Sequence, residues 1–327
     1  MNKVIVAGAP GFLGTKLVQE LLKQGRDITC IIHPSLRQNI EQIFPEVKQV
    51  KTIFKSINAP QPEFIAHLQG AETFFNCAGM QHPKKTEEIY IVNRDGPVNL
   101  LEACQQAKVK NVIHISSSSI YGSNTNTQPL TESSPYQFHT HYNRSKIQGD
   151  ELLLQQASQG DTRLIILAPA VFYGSPPSQN LIELMTMLKH KKNLPLVGKE
   201  GSTRSYVDIQ KVIEAMLTVE TKGKSGEIFI LADQQPLTAL EFYHSLAQGI
   251  GVEANLLRIP KIFSHAAEKV AFLSGSLGKH LRRVTVLGEF GRVHTVSSAK
   301  AQQVLQISFP ESSAPGVELM AKNFVST

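Results

Sequence analysis

Lys3-Val4-Ile5-Val6-Ala7-Gly8-Ala9-Pro10-Gly11-Phe12-Leu13-Gly14 opens the chain. Five residues of apolar, β-branched character read as a buried strand, and the pattern then changes to the period of an amphipathic helix over Phe12–Gln24. Between them lie Gly8, Gly11 and Gly14. Without Cβ atoms such a turn can be tight, and its backbone can come close to a pyrophosphate. The start of the helix adds free N–H groups and a positive dipole end. The bland alternative is a strand-to-helix turn with no ligand, but glycines at this spacing have little structural use otherwise. The spacing is Gly-x-x-Gly-x-x-Gly, not the Gly-x-Gly-x-x-Gly of the simplest dinucleotide fingerprint.

Working outward, strand-like runs recur at Asp27–Ile32, Val47–Lys51, Thr73–Asn76, Asn111–Ile115 and Arg163–Leu167, with helical patterns such as Glu88–Ala107 between them. Nearly continuous apolar strands separated by helices predict a parallel sheet covered on both faces. The expected class is therefore α/β, a Rossmann-like doubly wound sheet that binds ligands at the carboxyl ends of its strands. The second half is less regular. Ser175-Pro176-Pro177-Ser178 breaks the pattern, Leu181–His190 reads as a helix, and Gly226–Leu231 and Asn255–Ile259 as strands. The expectation is a dinucleotide-binding domain over 1–174, with 204–235 returning to it. Residues 175–203 and 236–327 would form a smaller, mostly helical substrate-binding lobe.

The 327 residues are 41% hydrophobic and 18% charged, a composition that supports a buried core. A formal net charge of +6 biases the approach of anions without selecting a partner. Lys189-His190-Lys191-Lys192 reads as a solvated helix end. With no Trp in the chain, stacking platforms for nucleic acid are scarce, and no nucleic-acid partner is expected. Cys30, Cys77 and Cys104 are odd in number, widely spaced and set in apolar stretches. That pattern suits reduced thiols in a cytoplasmic protein, with neither a disulfide framework nor a metal site. The opening strand is too short for a signal peptide's apolar region, and no window reaches the length of a membrane span.

The chemistry sits in two further places. Ile113-His114-Ile115-Ser116-Ser117 sets hydroxyls at the carboxyl end of the fifth strand, and Tyr142-Asn143-Arg144-Ser145-Lys146 puts a phenol and an ammonium on one helical face. A phenol with its free pKa of about 10 is a poor base at neutral pH. A neighbouring ammonium and a cationic nicotinamide ring would stabilise the phenolate. Lys146 can also reach ribose hydroxyls, and Ser117 can hydrogen-bond the substrate oxygen on which charge develops. Tyr142, Lys146 and Ser117 are the candidate catalytic residues. Cofactor choice is read after the second strand, where an acidic residue would hold the ribose of NAD. Ile31-Ile32-His33-Pro34-Ser35-Leu36-Arg37 has none, and His33, Ser35 and Arg37 are candidates to hold a 2′-phosphate. NADP is favoured over NAD; Arg37 as a plain helix cap leaves the choice open.

Together these segments resemble the extended short-chain dehydrogenase/reductases, the group often labelled NAD-dependent epimerase/dehydratase. The similarity rests on Gly8–Gly14, Asn76-Cys77-Ala78-Gly79, Asn93-Arg94-Asp95-Gly96, Ser116–Gly122, Tyr142–Lys146, Pro169–Gly174 and Arg204-Ser205-Tyr206-Val207. It implies that Ser117, five residues before Gly122, is the catalytic serine. It also implies cofactor contacts from Gly8, Gly11, Phe12, Leu13, Cys77, Ala78, Gly79, Asn93, Tyr142, Lys146 and Pro169, and a homodimer through two long helices flanking the sheet. The family's acidic residue after the second strand and its aspartate after the third are both missing here. Ala168-Pro169 stands where an Arg-Pro pair is usual. The resemblance to 4,6-dehydratases fails at Ser118-Ser119, where those enzymes carry an Asp-Glu pair. Ile259-Pro260-Lys261-Ile262 and His294–Ala301 are similar to the hydroxysteroid dehydrogenase and flavonoid reductase branch, implying a dehydrogenase or ketoreductase with a hydrophobic substrate. Arg204 implies the alternative, a sugar-nucleotide 4-epimerase that holds a diphosphate, unless it forms a structural ion pair. Ser118 and Arg204 are the candidate substrate residues. A third reading is a catalytically silent NADP-binding regulator, against which both Tyr142 and Lys146 stand.

Overall fold

The opening run forms the central strand β1 (Lys3–Ala7), and Val4 to Ala7 are fully buried. In the computed structural model, which describes residues 2–81, 83–124, 128–260 and 292–325, β1 pairs in parallel with β2 (Asp27–Ile32) on one side and β4 (Ala71–Asn76) on the other. Strands β3 (Lys51–Phe54), β5 (Asn111–Ile115), β6 (Arg163–Pro169) and β7 (Glu227–Leu231) complete a seven-stranded sheet of order β7-β6-β5-β4-β1-β2-β3. The pairs from β3 to β6 are parallel. Strand order reverses between β1 and β4, which makes the carboxyl ends of these two strands the switch point of a Rossmann-like sheet. Helices α1 (Phe12–Lys23), α2 (Gly96–Gln106) and α3 (His141–Ala157) are among those that flank it. Leu100, Leu101, Ala103 and Leu153 join the strand residues Ile5, Phe74, Val112 and Leu164 in one core.

Two elements differ from the sequence reading. The expected strand Val47–Lys51 is a 3-10 turn over Pro45–Gln49, followed by β3. Pro45 lacks an N–H and has its φ fixed, which suits the first position of a helical turn and not a sheet ladder. The expected continuous helix Glu88–Ala107 is divided into a helix Thr86–Tyr90, a π-helical turn Ile91–Asp95, and α2. Pro97 cannot donate to the carbonyl of Asn93, so the α ladder is broken at that point and the turn widens.

Chain contacts cluster into two compact units: 1–120, 141–168 and 213–229 form the first, and 121–140, 169–212 and 230–327 the second. The return crossing thus spans 213–229 where 204–235 was expected, and 121–140 goes with the second unit. In the second unit, short strands pair as Val171–Tyr173 with Tyr206–Asp208 and Leu194–Val197 with Leu256–Ile259. Helices α4 (Gln179–Lys189), α5 (Ala239–Ile250) and α6 (Ala314–Val325) surround a core that includes Met185, Tyr206, Phe242, Leu246 and Val317. Tyr206 and Phe242 stack at 4.5 Å between ring centroids. Asp233 is buried and accepts from Tyr173 Oη (2.6 Å) and Ser313 Oγ (2.7 Å), which satisfies a carboxylate that burial would otherwise penalise.

Candidate active site

The glycine turn runs directly off β1. Gly8 has φ of +83°, and a Cβ there would meet the backbone N of Ala78 at 2.6 Å. A Cβ at Gly14 would meet the Gly8 carbonyl at 2.3 Å. Two of the three glycines are therefore required by the chain's own packing, a structural use the sequence reading did not see. Gly11 is exposed and stands at the start of α1 without a side-chain cap, and the first turn of α1 carries no acidic residue. Phe12, Leu13 and Gly14 follow it in that first turn. The first N–H groups of a helix have no intrahelical acceptor, so this end is open to an anion. Such a turn fits a dinucleotide pyrophosphate.

Beyond β2, His33 caps a 3-10 turn: its Nδ1 accepts from the Ser35 N–H (3.3 Å) and lies 2.8 Å from Ser35 Oγ. This leaves Nε2 outward. Arg37 lies over the Phe54 ring at 4.5 Å, and His33, Ser35 and Arg37 are all exposed. The Arg37 guanidinium is thus positioned by a ring face and not by a carboxylate.

After β4, Cys77, Ala78 and Gly79 lead toward Asn93. Burial pushes the Cys77 thiol up to about 12, so it is a protonated, inert group. Asn93 is wholly buried. Its Oδ1 accepts from Met80 N (2.8 Å), and its Nδ2 donates to Met80 O (2.7 Å) and Ser145 Oγ (3.0 Å). Asn93, expected at the cofactor, here ties the loop after β4 to α3. Pro169 ends β6 and is buried.

Tyr142 and Lys146 lie on one face of α3. Tyr142 is half-buried, and its carbonyl accepts from Ser145 Oγ at 2.8 Å. Lys146 is buried, with Nζ donating to Ile115 O at 2.8 Å. Burial pushes its pKa down to about 8 against the opposing pull of Asp150. A Cβ on Gly79 would lie 3.8 Å from Lys146 Nζ, so the loop after β4 borders the ammonium. Among the serines after β5, Ser116 is buried and donates to Asp150, and Ser118 is buried. Ser117 is half-exposed, with its Oγ 2.8 Å from Ser119 Oγ and accepting from Ser119 N at 3.2 Å. Asn143 Nδ2 donates to Ser119 Oγ at 2.9 Å, linking this serine pair to α3. The first unit therefore brings Ser117, Tyr142 and Lys146 to the carboxyl end of the sheet beside the glycine turn.

Sequence reading missed Ser119, Asn143, His114 and Asp150. The last was signalled by position, since Tyr142, Lys146 and Asp150 fall at i, i+4 and i+8. Asp150 is fully buried, and burial pushes its carboxyl up to about 7, held back by Lys146 and by the Ser116 hydrogen bond.

In the second unit, Arg204 sits in the short strand Thr203–Arg204, beside His294. Its Nε is a buried donor without a hydrogen-bond partner, and among the described residues it forms no ion pair. The structural ion pair weighed above is thus missing there. Burial drives the neighbouring His294 down to about 4, opposed by its hydrogen bond to the Gly122 carbonyl and reinforced by Arg204. Residues 261–291, which include Lys261 and Ile262 of the Ile259–Ile262 segment and the helix read after it, lie outside the described residues.

The glycine turn and the Tyr-x-x-x-Lys helix thus belong to one Rossmann-like sheet. The family model of the NAD-dependent epimerase/dehydratase family matches residues 4–232, and the chain belongs to that family. An uncharacterised protein, y4nL of Sinorhizobium fredii, is 26% identical over 98% of this chain and 95% of its own length. A ketoreductase of Stigmatella aurantiaca that acts on a farnesylated dihydroquinoline N-oxide is 23% identical over 85% of this chain and 81% of its own. Among solved structures, UDP-glucuronic acid 4-epimerase of Bacillus cereus in complex with NAD superposes with a TM-score of 0.77. It covers 99% of this chain and 98% of that one at 20% identity, a likeness of fold.

Proposed function

We propose that this protein is an NAD(P)-dependent oxidoreductase that interconverts a hydroxyl and a ketone, with Tyr142 as the acid/base, Lys146 as its electrostatic support and Ser117 as the hydrogen-bond donor to the substrate oxygen. The observation that carries the reading is Lys146: an ammonium held in the interior on the Ile115 carbonyl, on the same helical face as a half-buried tyrosine. In reduction, Tyr142 Oη donates its proton to the carbonyl oxygen as that oxygen gains charge. Lys146 stabilises the phenolate left behind, and Ser117 Oγ–H holds the same oxygen. A bound nicotinamide supplies or accepts the hydride. Gly8, Gly11 and the first turn of α1, from Phe12 to Gly14, would hold its pyrophosphate. Arg37, with Ser35 and His33 Nε2, would take a 2′-phosphate, which favours NADP over NAD. The ketoreductase among the relatives supports the net oxidoreductase reading.

The test is turnover of NADPH and NADH against a panel of apolar ketones. Tyr142→Phe should keep nucleotide affinity and lose turnover by a factor on the order of 100 or more. Near wild-type turnover in that variant, with chemistry rate-limiting, would remove the assignment.

One observation favours a second reading. A buried guanidinium nitrogen without a partner at Arg204 suits an anionic substrate group, as a sugar-nucleotide 4-epimerase requires.

A further inference from the structure

We propose that Asp150 is a positioning residue: the carboxyl partner of Lys146, held in place by Ser116 and faced by a histidine, His114, whose tautomer Asn76 sets. The proposal rests on the catalytic reading of Tyr142 and Lys146, and extends it one helical turn into the interior.

The geometry fixes each member in turn. The Ala78 N–H donates to Asn76 Oδ1 at 3.2 Å, which decides the orientation of that amide. Asn76 Nδ2 is then the donor to His114 Nδ1, 3.0 Å away. With Nδ1 an acceptor, the neutral ring carries its proton on Nε2. Nε2 faces Asp150 Oδ1 at 3.6 Å, too long for a hydrogen bond, so the two buried atoms have no hydrogen-bond partner and meet electrostatically, with both side chains sealed from solvent. The other carboxylate oxygen takes the Ser116 hydroxyl proton. His114 stays neutral because burial disfavours its cation and Lys146 repels it, so it faces Asp150 with an N–H dipole and not with a competing positive charge.

Lys146 needs such a partner. Its hydrogen bond among the described residues goes to a neutral carbonyl, and a buried ammonium without a counter-charge gives up its proton. The titratable groups acting on it are few. The Cys77 thiol approaches from the end of β4 and is held protonated by burial. Neutral His114 stands on β5, and Tyr142 and Asp150 share its own helix. Glu151, next on α3, acts on Asp150. Of these, Asp150 raises the Lys146 value most, ahead of Cys77, and it does so as the carboxylate it becomes above about 7. A neutral amine at position 146 could not stabilise a Tyr142 phenolate, so the buried line Asn76–His114–Asp150–Ser116 serves the chemistry without touching substrate.

The test is a 13C NMR titration of protein labelled at lysine Cε, with Lys146→Arg identifying the resonance. It needs no substrate and no nucleotide, so it reads the Asp150–Lys146 coupling even if the oxidoreductase reading fails. Tyr142→Phe tests that reading separately. In Asp150→Asn the Lys146 midpoint should fall by about one unit or more. In His114→Phe it should fall less, in the same direction. On a confirmed substrate, the alkaline or acidic limb that reports Lys146 should move with it, a shift that a merely structural residue would not cause. An unchanged Lys146 midpoint in the Asn variant overturns the proposal. Should that variant not fold, 15N-imidazole spectra of the wild type decide: a neutral Nε2–H ring on His114 at about pH 6 supports it, and an Nδ1–H tautomer or a cation overturns it.

Discussion

A carboxylate sealed in the interior leaves a mark on stability as well as on chemistry. The folded value of Asp150, about 7, lies above its unfolded value. Between the ordinary carboxylate range and about 7 the folded chain therefore holds a proton that the unfolded chain has released. Rising pH through that window removes stability. Lys146 has its folded value, about 8, below the unfolded one, so its cost is present at neutral pH and is relieved as pH rises past about 8. Asp150→Asn removes the first effect. Its melting temperature relative to wild type should climb from about pH 5 to about pH 7, and a difference independent of pH would contradict the buried, proton-holding carboxyl. At the nucleotide end the NADP reading is tested at Arg37. A charge-assisted hydrogen bond contributes roughly 1.5–3 kcal/mol. Arg37→Ala should weaken NADPH binding about tenfold or more in a fluorescence titration and leave NADH little changed. Equal loss for both, or a native preference for NADH, would turn the assignment to NAD.

At the scale of elements, the helix that carries Tyr142 and Lys146 is set by one glycine. A Cβ on Gly149 would lie 2.3 Å from the Asn93 carbonyl, the same carbonyl that Pro97 leaves without an α-helical donor. Backbone cannot yield as a flexible side chain does. Gly149→Ala should therefore cost about 1–3 kcal/mol or more and loosen α3 from the π turn. Gly79→Ala, whose Cβ would meet Asn93 Oδ1 at an ordinary 3.7 Å, should melt close to wild type. Calorimetry of the two variants checks the pair. This contact was not legible in the sequence, because the helical period over Glu88–Ala107 is nearly the same with or without a π turn. The strands β1, β2 and β5 were legible, since full burial writes them as unbroken apolar runs and turns bound them. β3 was misplaced because Val47 is apolar but follows Pro45. Tyr142 and Lys146 were legible from spacing on one helix. Asp150 lay at the next interval, yet its meaning depends on His114 and Ser116, which reach it from another element.

For the whole molecule the open alternative is net transfer against epimerisation, and the two differ in what happens to the nucleotide. A net oxidoreductase exchanges its nucleotide each turnover, whereas an epimerase regenerates it in place. The sequence contributes Ser118-Ser119 in place of a dehydratase's Asp-Glu pair, and a ketoreductase is among the similar proteins. Against these stands Arg204, half-buried, with a donor that the described residues leave unmatched. Under the oxidoreductase reading, a suitable ketone should produce a stoichiometric loss of absorbance at the reduced-nicotinamide band. Arg204→Ala should then change kcat/KM for an uncharged substrate by only a small factor, because there is no diphosphate to hold. Under epimerisation, two sugar nucleotides should interconvert with no net change at that band. Truncating Arg204 should then cost about tenfold or more, the loss expected when one charge-assisted contact is removed. Interconversion that collapses with Arg204 would replace the oxidoreductase reading and leave Tyr142 and Lys146 in their roles.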